Sequence, residues 1–167
     1  CLVRAGASMS KRNADCGKTL IWATSAGKIE AVELLLNAGA NVDYCNKSYW
    51  TPLMYAIRAG HIEIVKILLD HGANLEDFDE YGWSPLIFAA WYNQPQILEL
   101  LITHGANLEH TEQHRRSALL IAAERGNLEP AKILLTYNAN LNLRDDENNS
   151  ALHLAETNSH KNLAELL

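Results

Sequence analysis

The chain has 167 residues, 48% of them hydrophobic, and a net charge of −6. This apolar content is enough for a core of ordinary size. The negative charge argues against a general binder of nucleic acid or of anionic membranes, because both attract basic surfaces. No apolar run approaches the ~20 residues that a membrane-spanning helix needs, so we expect neither a nucleic-acid partner nor membrane insertion.

A three-residue motif recurs along the chain at a constant spacing. It occurs as Thr51-Pro52-Leu53, Ser84-Pro85-Leu86, Ser117-Ala118-Leu119 and Ser150-Ala151-Leu152, so that successive copies begin 33 residues apart. A period near this length is typical of modules that cannot bury their own apolar faces and therefore stack on their neighbours. We expect an array whose binding chemistry lies on a shared surface rather than in a pocket.

The period divides the chain into a single domain of consecutive repeats. In chain order these are a partial repeat at 1–17, full repeats at 18–50, 51–83, 84–116 and 117–149, and a second partial repeat at 150–167. In this register a finger containing Cys16 precedes a helix that begins near Lys18. Neither end has the polar outer face that a terminal repeat needs, so we expect the array to be a piece of a longer protein.

The repeat at 51–83 shows the predicted elements most clearly. Thr51 is a typical helix N-cap, because its hydroxyl can accept an orphan N–H, and Pro52 suits the first helical position. Gly60 is predicted to end this first helix and Gly72 the second. The polar segment 74–83 then predicts a hairpin-like finger.

Small and aromatic residues recur within the predicted first helices. Alanine recurs at one position, as Ala23, Ala56, Ala89, Ala122 and Ala155. A side chain of this size lets neighbouring helices approach closely, so we expect these alanines to be buried between repeats. One residue earlier, Trp22, Tyr55 and Phe88 are predicted to serve in packing rather than in binding.

The residues that recur in register resemble the ankyrin repeat. They are Thr51-Pro52-Leu53, Ala56, Gly60-His61, Val65, Leu68-Leu69 and Gly72-Ala73-Asn74, with echoes at 33-residue offsets over essentially the whole chain. The resemblance implies an all-α solenoid of stacked helix–turn–helix units, each with a short β-hairpin finger. It also implies a module that binds proteins through the hairpin tips and the exposed side of the first helix.

The fingers depart from the pattern of the family, which usually has glycine in the hairpin. Gly82 fits that pattern, whereas Cys16, Tyr49, Arg115 and Asn148 hold the equivalent positions of the other repeats. Asparagine tolerates a positive φ, but tyrosine and arginine adopt it less readily. The sequence therefore leaves the geometry of those hairpins open.

Aligning the repeats brings a set of candidate binding residues to one concave surface. The aromatic residues Trp50, Tyr81, Trp83, Trp91 and Tyr92 stand out, because large rigid side chains are enriched in interface hot spots. The full set predicted to contact a partner is Trp50, Arg58, Phe78, Asp79, Tyr81, Trp83, Trp91, Tyr92, Arg116 and Arg125. The alternative is that some of these aromatic residues pack against a neighbouring hairpin and only stabilise the array.

The residues that could carry chemistry predict neither an enzyme nor a metal site, and we expect no cofactor. His104, His110 and His114 lie close in sequence but fall on different elements without a cysteine pair, whereas zinc sites need convergent ligands. Cys16 and Cys45 have no identifiable histidine partner for nucleophilic catalysis. The three cysteines, at 1, 16 and 45, predict free thiols and a reducing compartment. We therefore expect a cytoplasmic location, with the nucleus and a host-cell cytosol as alternatives.

One asparagine suggests a modification. Asn142, in the segment from Leu134 to Asn142, resembles the site at which ankyrin repeats are hydroxylated by a cytosolic asparaginyl hydroxylase. The alternative is that Asn142 is a structural turn residue.

Three functions remain open at the level of sequence. The first is a protein-interaction scaffold that binds a folded partner or a peptide across its concave face. The second is the targeting arm of a larger enzyme or effector, for example a ubiquitin-ligase adaptor or a bacterial effector acting in a host cell. The third is a structural spacer, which predicts no specific partner.

Overall fold

The computed structural model describes the backbone of residues 9–167 and the side chains of residues 15–167. This part of the chain is all-helical. Its helices are α1 (Met9–Ser25), α2 (Ile29–Asn37), α3 (Pro52–Ala59), α4 (Ile62–Asp70), α5 (Pro85–Trp91), α6 (Pro95–Thr103), α7 (Ala118–Arg125), α8 (Leu128–Thr136), α9 (Ala151–Thr157) and α10 (Lys161–Ala164). Within it, the only isolated β-bridge is antiparallel and joins Thr111 to Ser117. None of the described helices is both long and apolar enough to cross a membrane.

The helices form two compact units, Cys1–Asn74 and Leu75–Leu167, referred to below as unit 1 and unit 2. In unit 1, α1 packs against α2 and α3, and α3 packs against α4. In unit 2, α5 packs against α6 and α7, α7 packs against α8 and α9, and α9 packs against α10. Each first helix therefore contacts its own second helix and the first helix of a neighbouring repeat, which is the arrangement that the 33-residue period predicts.

The helix starts follow from side-chain capping. The hydroxyl oxygens of Thr51, Ser84, Ser117 and Ser150 each accept a hydrogen bond from the backbone N–H three residues later, at 3.2–3.4 Å. Pro52 and Pro85 occupy the first turn, where the missing N–H costs nothing. At the other end, Gly60 and Gly126 adopt left-handed conformations, with φ of 72° and 73°. The predicted caps are thus confirmed.

The five recurring alanines are fully buried. Because they lie on first helices that pack against one another, their small side chains allow the close approach that the sequence predicts. A bulkier residue at these positions would have to displace a neighbouring helix.

A repeated hydrogen bond also ties successive repeats together. The carboxylates of Asp43, Glu76 and Glu109 accept the backbone N–H groups of Asn74, Asn107 and Asn140, respectively, at 2.9–3.0 Å. The acceptors lie 33 residues apart, as do the donors, so the bond repeats in the register of the array. The first bond lies in unit 1 and the other two in unit 2.

The start of the described chain differs from the sequence prediction. Helix α1 runs without interruption from Met9 to Ser25, so the segment before Lys18 is helical where a finger was predicted. Lys18 occupies the position of the capping hydroxyls and has no side-chain acceptor with which to begin a new helix. The Thr19 hydroxyl instead donates to the carbonyl oxygen of Asp15 one turn earlier in the same helix, at 2.8 Å. The rest of the first partial repeat, 1–8, lies outside the described residues.

Two further expectations near this end are wrong. Trp22 was expected to pack inside, yet it is 63% exposed. Its equivalents Tyr55 and Phe88 are covered by the last residue of a finger, whereas the described residues before Trp22 are helical. Cys16 is disulfide-bonded rather than a free thiol, while Cys45 is exposed and free.

Candidate protein-binding surface

Each finger closes in a five-residue turn, here called a finger turn. One lies in unit 1, at 46–50, and three lie in unit 2, at 79–83, 112–116 and 145–149. In the turn at 79–83, Gly82 donates its N–H to the Asp79 carbonyl at 2.9 Å, and the Asp79 N–H donates to the Trp83 carbonyl at 3.2 Å. The other three turns have the same pair of bonds. The fingers are therefore tight hairpin turns rather than extended ribbons.

The first residue of every finger turn holds the turn together from inside. One side-chain oxygen of Asn46, Asp79, Glu112 or Asp145 accepts the backbone N–H groups two and four residues later, at 2.7–3.1 Å. Asp79, predicted as a contact residue at a fingertip, is only 5% exposed. The structure thus places Asp79 beneath the turn, where it sets the turn's shape. A hydrogen-bond acceptor recurring every 33 residues was the sequence signal for this role.

The fourth residue of each turn is left-handed whatever its type. Gly82 has a φ of 83°, and Tyr49, Arg115 and Asn148 have values of 61°, 60° and 67°. The question that the sequence left open is therefore resolved, because all four turns adopt one geometry. For Tyr49 and Arg115 this backbone conformation raises the conformational energy of the folded chain, whereas glycine adopts it without such strain.

In three of the four finger turns, the last residue is paired with the residue eight positions later, at the exposed side of the following first helix. In unit 1, the Arg58 guanidinium lies 5.6 Å from the ring centroid of Trp50. In unit 2, Trp83 meets Trp91 edge to face at 5.0 Å. In the next repeat, Arg116 and Glu124 hold the same two positions and form an ion pair with an N–O distance of 2.8 Å. Equivalent positions thus carry a cation–π, an aromatic and an ionic pair in turn.

The Trp83–Trp91 pair belongs to an aromatic cluster that consists of Trp83, Phe88, Trp91 and Tyr92. Trp83 also contacts Phe88 at 5.4 Å, and Phe88 stacks on Tyr92 at 6.1 Å with their planes 9° apart. Phe88 is buried, whereas Trp83, Trp91 and Tyr92 are each partly exposed. The cluster therefore has a buried base and a rigid, partly exposed upper face. These rings contact one another, as the packing alternative predicts, and their contact with a partner stays a prediction.

The remaining predicted aromatic residues lie at the fingertips. Phe78 and Tyr81 are each 56% exposed. Phe78 stacks against the imidazole of His110 at 6.0 Å, and His110 in turn shares a hydrogen bond of 2.8 Å with the Gly82 carbonyl. The finger that carries Phe78 is thus braced against the next one within unit 2.

Arg116 and Arg125, both predicted to contact a partner, differ in what they bind within the chain. The Nε of Arg116 lies 3.0 Å from Glu112, and its Nη1 lies 2.8 Å from Glu124. Burial lowers the pKa of Arg116, but the two carboxylates outweigh this and raise it. Arg125 is exposed and lies over the Trp91 ring, with 4.1 Å between its guanidinium carbon and the ring centroid.

The three histidines singled out in the sequence are held apart by separate bonds. His104 pairs with the Leu100 carbonyl, and His114 pairs with the Asp146 carboxylate at 3.0 Å. Among the residues whose side chains are described, no three histidine, cysteine, aspartate or glutamate side chains are placed to hold a metal ion. Asn142 is exposed and its N–H donates to the Asn140 side chain at 2.9 Å; its hydroxylation stays a prediction.

Paired helices in a fixed 33-residue register, each pair followed by the same turn, define a helical-repeat protein. Family models described as "Ankyrin repeats (3 copies)" and "Ankyrin repeats (many copies)" match residues 20–112 and 101–155, respectively. The chain belongs to the ankyrin-repeat family, whose repeats are generally protein–protein interaction modules. A comparison with curated proteins found no match.

Proposed function

We propose that this chain binds a protein or peptide partner through its finger turns and the exposed sides of its first helices. The observation that carries the proposal is the Trp83–Trp91 pair. It is partly exposed and rigidly packed, and it lies at positions whose chemistry changes from repeat to repeat. A repeated scaffold needs the same residues everywhere, so the positions that differ are where specificity is encoded.

The packing of the aromatic cluster favours a binding role over a merely structural one. Phe88 is buried and contacts both Trp83 and Tyr92. Side chains that are packed before binding lose less entropy when a partner binds, which raises affinity. Tryptophan and tyrosine are among the residue types enriched in interface hot spots.

In unit 1, Trp50 and Arg58 form a second candidate contact. Trp50 packs against Tyr55 with ring centroids 5.2 Å apart, and Arg58 lies over the same indole. The hydroxyl of Tyr55 accepts a hydrogen bond from the Asn46 side chain at 3.0 Å, so the pair is anchored to its own finger turn. The same arrangement of anchor and support is thus found in both units.

The proposal is tested by replacing the two tryptophans of the cluster in turn. Trp83→Ala and Trp91→Ala are each expected to weaken binding of a partner captured by the wild-type chain by about 2 kcal/mol or more. The measurement is calorimetric titration with that partner, and circular dichroism checks that helicity is retained. Leu34→Ala is the control, because it removes a large exposed side chain from the second helix α2, outside the proposed surface. Wild-type affinity in both cluster variants would refute the proposal.

The other functions make different predictions. The targeting-arm alternative requires a catalytic or adaptor segment next to the array in the full-length protein, so sequencing the flanking regions tests it. The spacer alternative requires that no specific partner be captured at all. Cytoplasmic location stays a prediction, although the disulfide at Cys16 removes the free thiol on which it partly rested. Imaging the tagged full-length protein tests it.

A further inference from the structure

Arg116 and Arg125, the two arginines of unit 2 that are predicted to contact a partner, are in opposite electrostatic situations. Arg116 has its charge balanced by Glu112 and Glu124, and only 19% of its side chain is exposed. Arg125 is exposed, and among the residues whose side chains are described it forms no ion pair. Its guanidinium lies over the face of Trp91.

The Arg125 guanidinium carbon lies 4.1 Å from the ring centroid of Trp91, which is within cation–π distance. Among the residues whose side chains are described, its N–H groups donate no hydrogen bond, so they are available to a partner. A guanidinium presents its donors as a planar fork. This fork matches a carboxylate, which accepts two parallel hydrogen bonds from it.

The position of Arg125 next to Trp91 limits which side chains of a partner can bind beside these two residues. A cationic side chain would be repelled by the guanidinium, which already occupies the Trp91 face. An apolar side chain can pack on the exposed parts of Trp83 and Trp91, which meet at 5.0 Å. The chain as a whole carries a charge of −6, so an acidic group of the partner is attracted only where a positive charge such as Arg125 is close. Pairing at that one place would fix the register of the partner on the surface.

From this charge complementarity we propose that the partner presents a carboxylate next to an aromatic or large aliphatic side chain. The carboxylate accepts hydrogen bonds from Arg125, and the apolar side chain packs on Trp83 and Trp91. The inference rests on the proposed function and specifies the chemistry of its partner.

The experiment uses a displayed library of random 12-residue peptides, selected on the wild-type chain. Selected peptides are expected to carry aspartate or glutamate within two positions of an aromatic or large aliphatic residue. The tightest peptide, made synthetically, is then titrated against Arg125→Gln, with an expected loss of about tenfold or more in affinity. Arg125→Lys keeps the charge but not the planar fork, and an intermediate loss is expected.

Lys132→Gln is the matched control, because it also removes one positive charge but lies on the second helix α8, outside the proposed surface. This variant should bind the peptide as the wild type does. Selection of no peptide, a pool without enriched acidic residues, or wild-type affinity in Arg125→Gln would each overturn the inference. If an acid-free peptide is selected and Trp83→Ala abolishes its binding, the inference fails while the proposed function stands. If Trp83→Ala and Trp91→Ala also bind it normally, both fail.

Discussion

The finger turns at 79–83 and 112–116 occupy equivalent positions in successive repeats of unit 2 and share one backbone. Both have a buried carboxylate that accepts two backbone N–H groups. Above that backbone they differ, because the first turn ends in Trp83 and the second in Arg116. Trp83 joins an aromatic cluster, whereas Arg116 is held between two glutamates.

The difference shows which parts of a finger turn repeat along the chain and which parts vary. The parts that repeat are the capping hydroxyl, the buried acceptor and the left-handed fourth residue, all of which satisfy backbone groups. The parts that vary are the paired side chains above the turn, which contact each other across eight residues. Under the proposed function, a partner would contact the variable pairs, and these can change without any change to the repeated scaffold.

The largest effect is expected at Glu112, because this residue supports both the backbone of its finger turn and the ion pair with Arg116. Glu112→Ala removes the acceptor of two backbone N–H groups and also one counter-ion of Arg116, so we expect a loss of about 3 kcal/mol in unfolding free energy. Asp79→Ala removes only the acceptor and should cost less, about 1–3 kcal/mol. Chemical denaturation of the two variants measures the difference.

Amide variants separate the two roles of the carboxylates. Asp79→Asn should cost little, because Asn46 performs the same task with an amide oxygen in unit 1. Glu112→Gln keeps the acceptor but loses the charge that faces Arg116, so its cost should lie between those of Asp79→Asn and Glu112→Ala. Equal losses in Glu112→Ala and Asp79→Ala would contradict the idea that Glu112 supports both the turn and the ion pair.

A smaller effect is expected at the left-handed fourth residue, where the two turns carry Gly82 and Arg115. Arg115→Gly should stabilise the chain by about 1 kcal/mol, because arginine holds a φ of 60° at a cost that glycine avoids. Gly82→Ala should destabilise it by a similar amount, since the φ is positive and an added Cβ would lie 3.3 Å from the Glu112 Cα. Thermal unfolding measures both changes.

Asn148→Gly is the control for this pair. Asparagine tolerates the left-handed region, so the stabilisation should be clearly smaller than that from Arg115→Gly. Should Arg115→Gly instead lower the melting temperature, the Arg115 side chain would have to stabilise the turn through contacts that outweigh its backbone strain.

Sequence reasoning predicted the features that depend on local chemistry. The capping role of Thr51 and Ser84 and the left-handed Gly60 follow from rules that involve one residue and its immediate neighbours. The 33-residue period predicted the burial of Ala89 and placed Trp83 and Trp91 in adjacent repeats. Predicting these features required no information about specific contacts between distant residues.

The features that the sequence did not predict depend on contacts made across a finger turn or on the conformation of the segment before a repeat. Asp79 was read as an exposed charge, because its burial results from the turn folding over it. The pairing of Arg116 with Glu124 was missed, since it joins a finger to a helix eight residues later. Trp22 was assigned to the interior by register alone, but the helical segment that precedes it supplies no finger to cover it.

The smallest effect is expected at His114 and Asp146, on neighbouring finger turns of unit 2. The His114 imidazole hydrogen-bonds Asp146 at 3.0 Å, and this bond, followed by the charge of Glu112, raises the pKa of His114. The same bond lowers the pKa of Asp146. The stabilisation from a histidine whose pKa is raised is complete below its ordinary pKa of about 6.5 and is lost as pH rises through the raised value.

For Asp146 the sign is opposite. Its contribution is present above its ordinary pKa of about 4 and is lost as pH falls through the lowered value. The pair should therefore stabilise unit 2 most between roughly pH 4 and 6.5, and only weakly, because both side chains are solvent-exposed. An NMR titration should show the pKa of His114 falling towards its ordinary value in Asp146→Asn. Glu147→Gln, which removes a neighbouring charge but no bond to His114, should change that pKa less. An identical His114 titration in the wild type and in Asp146→Asn would show that these two turns are not coupled through this pair.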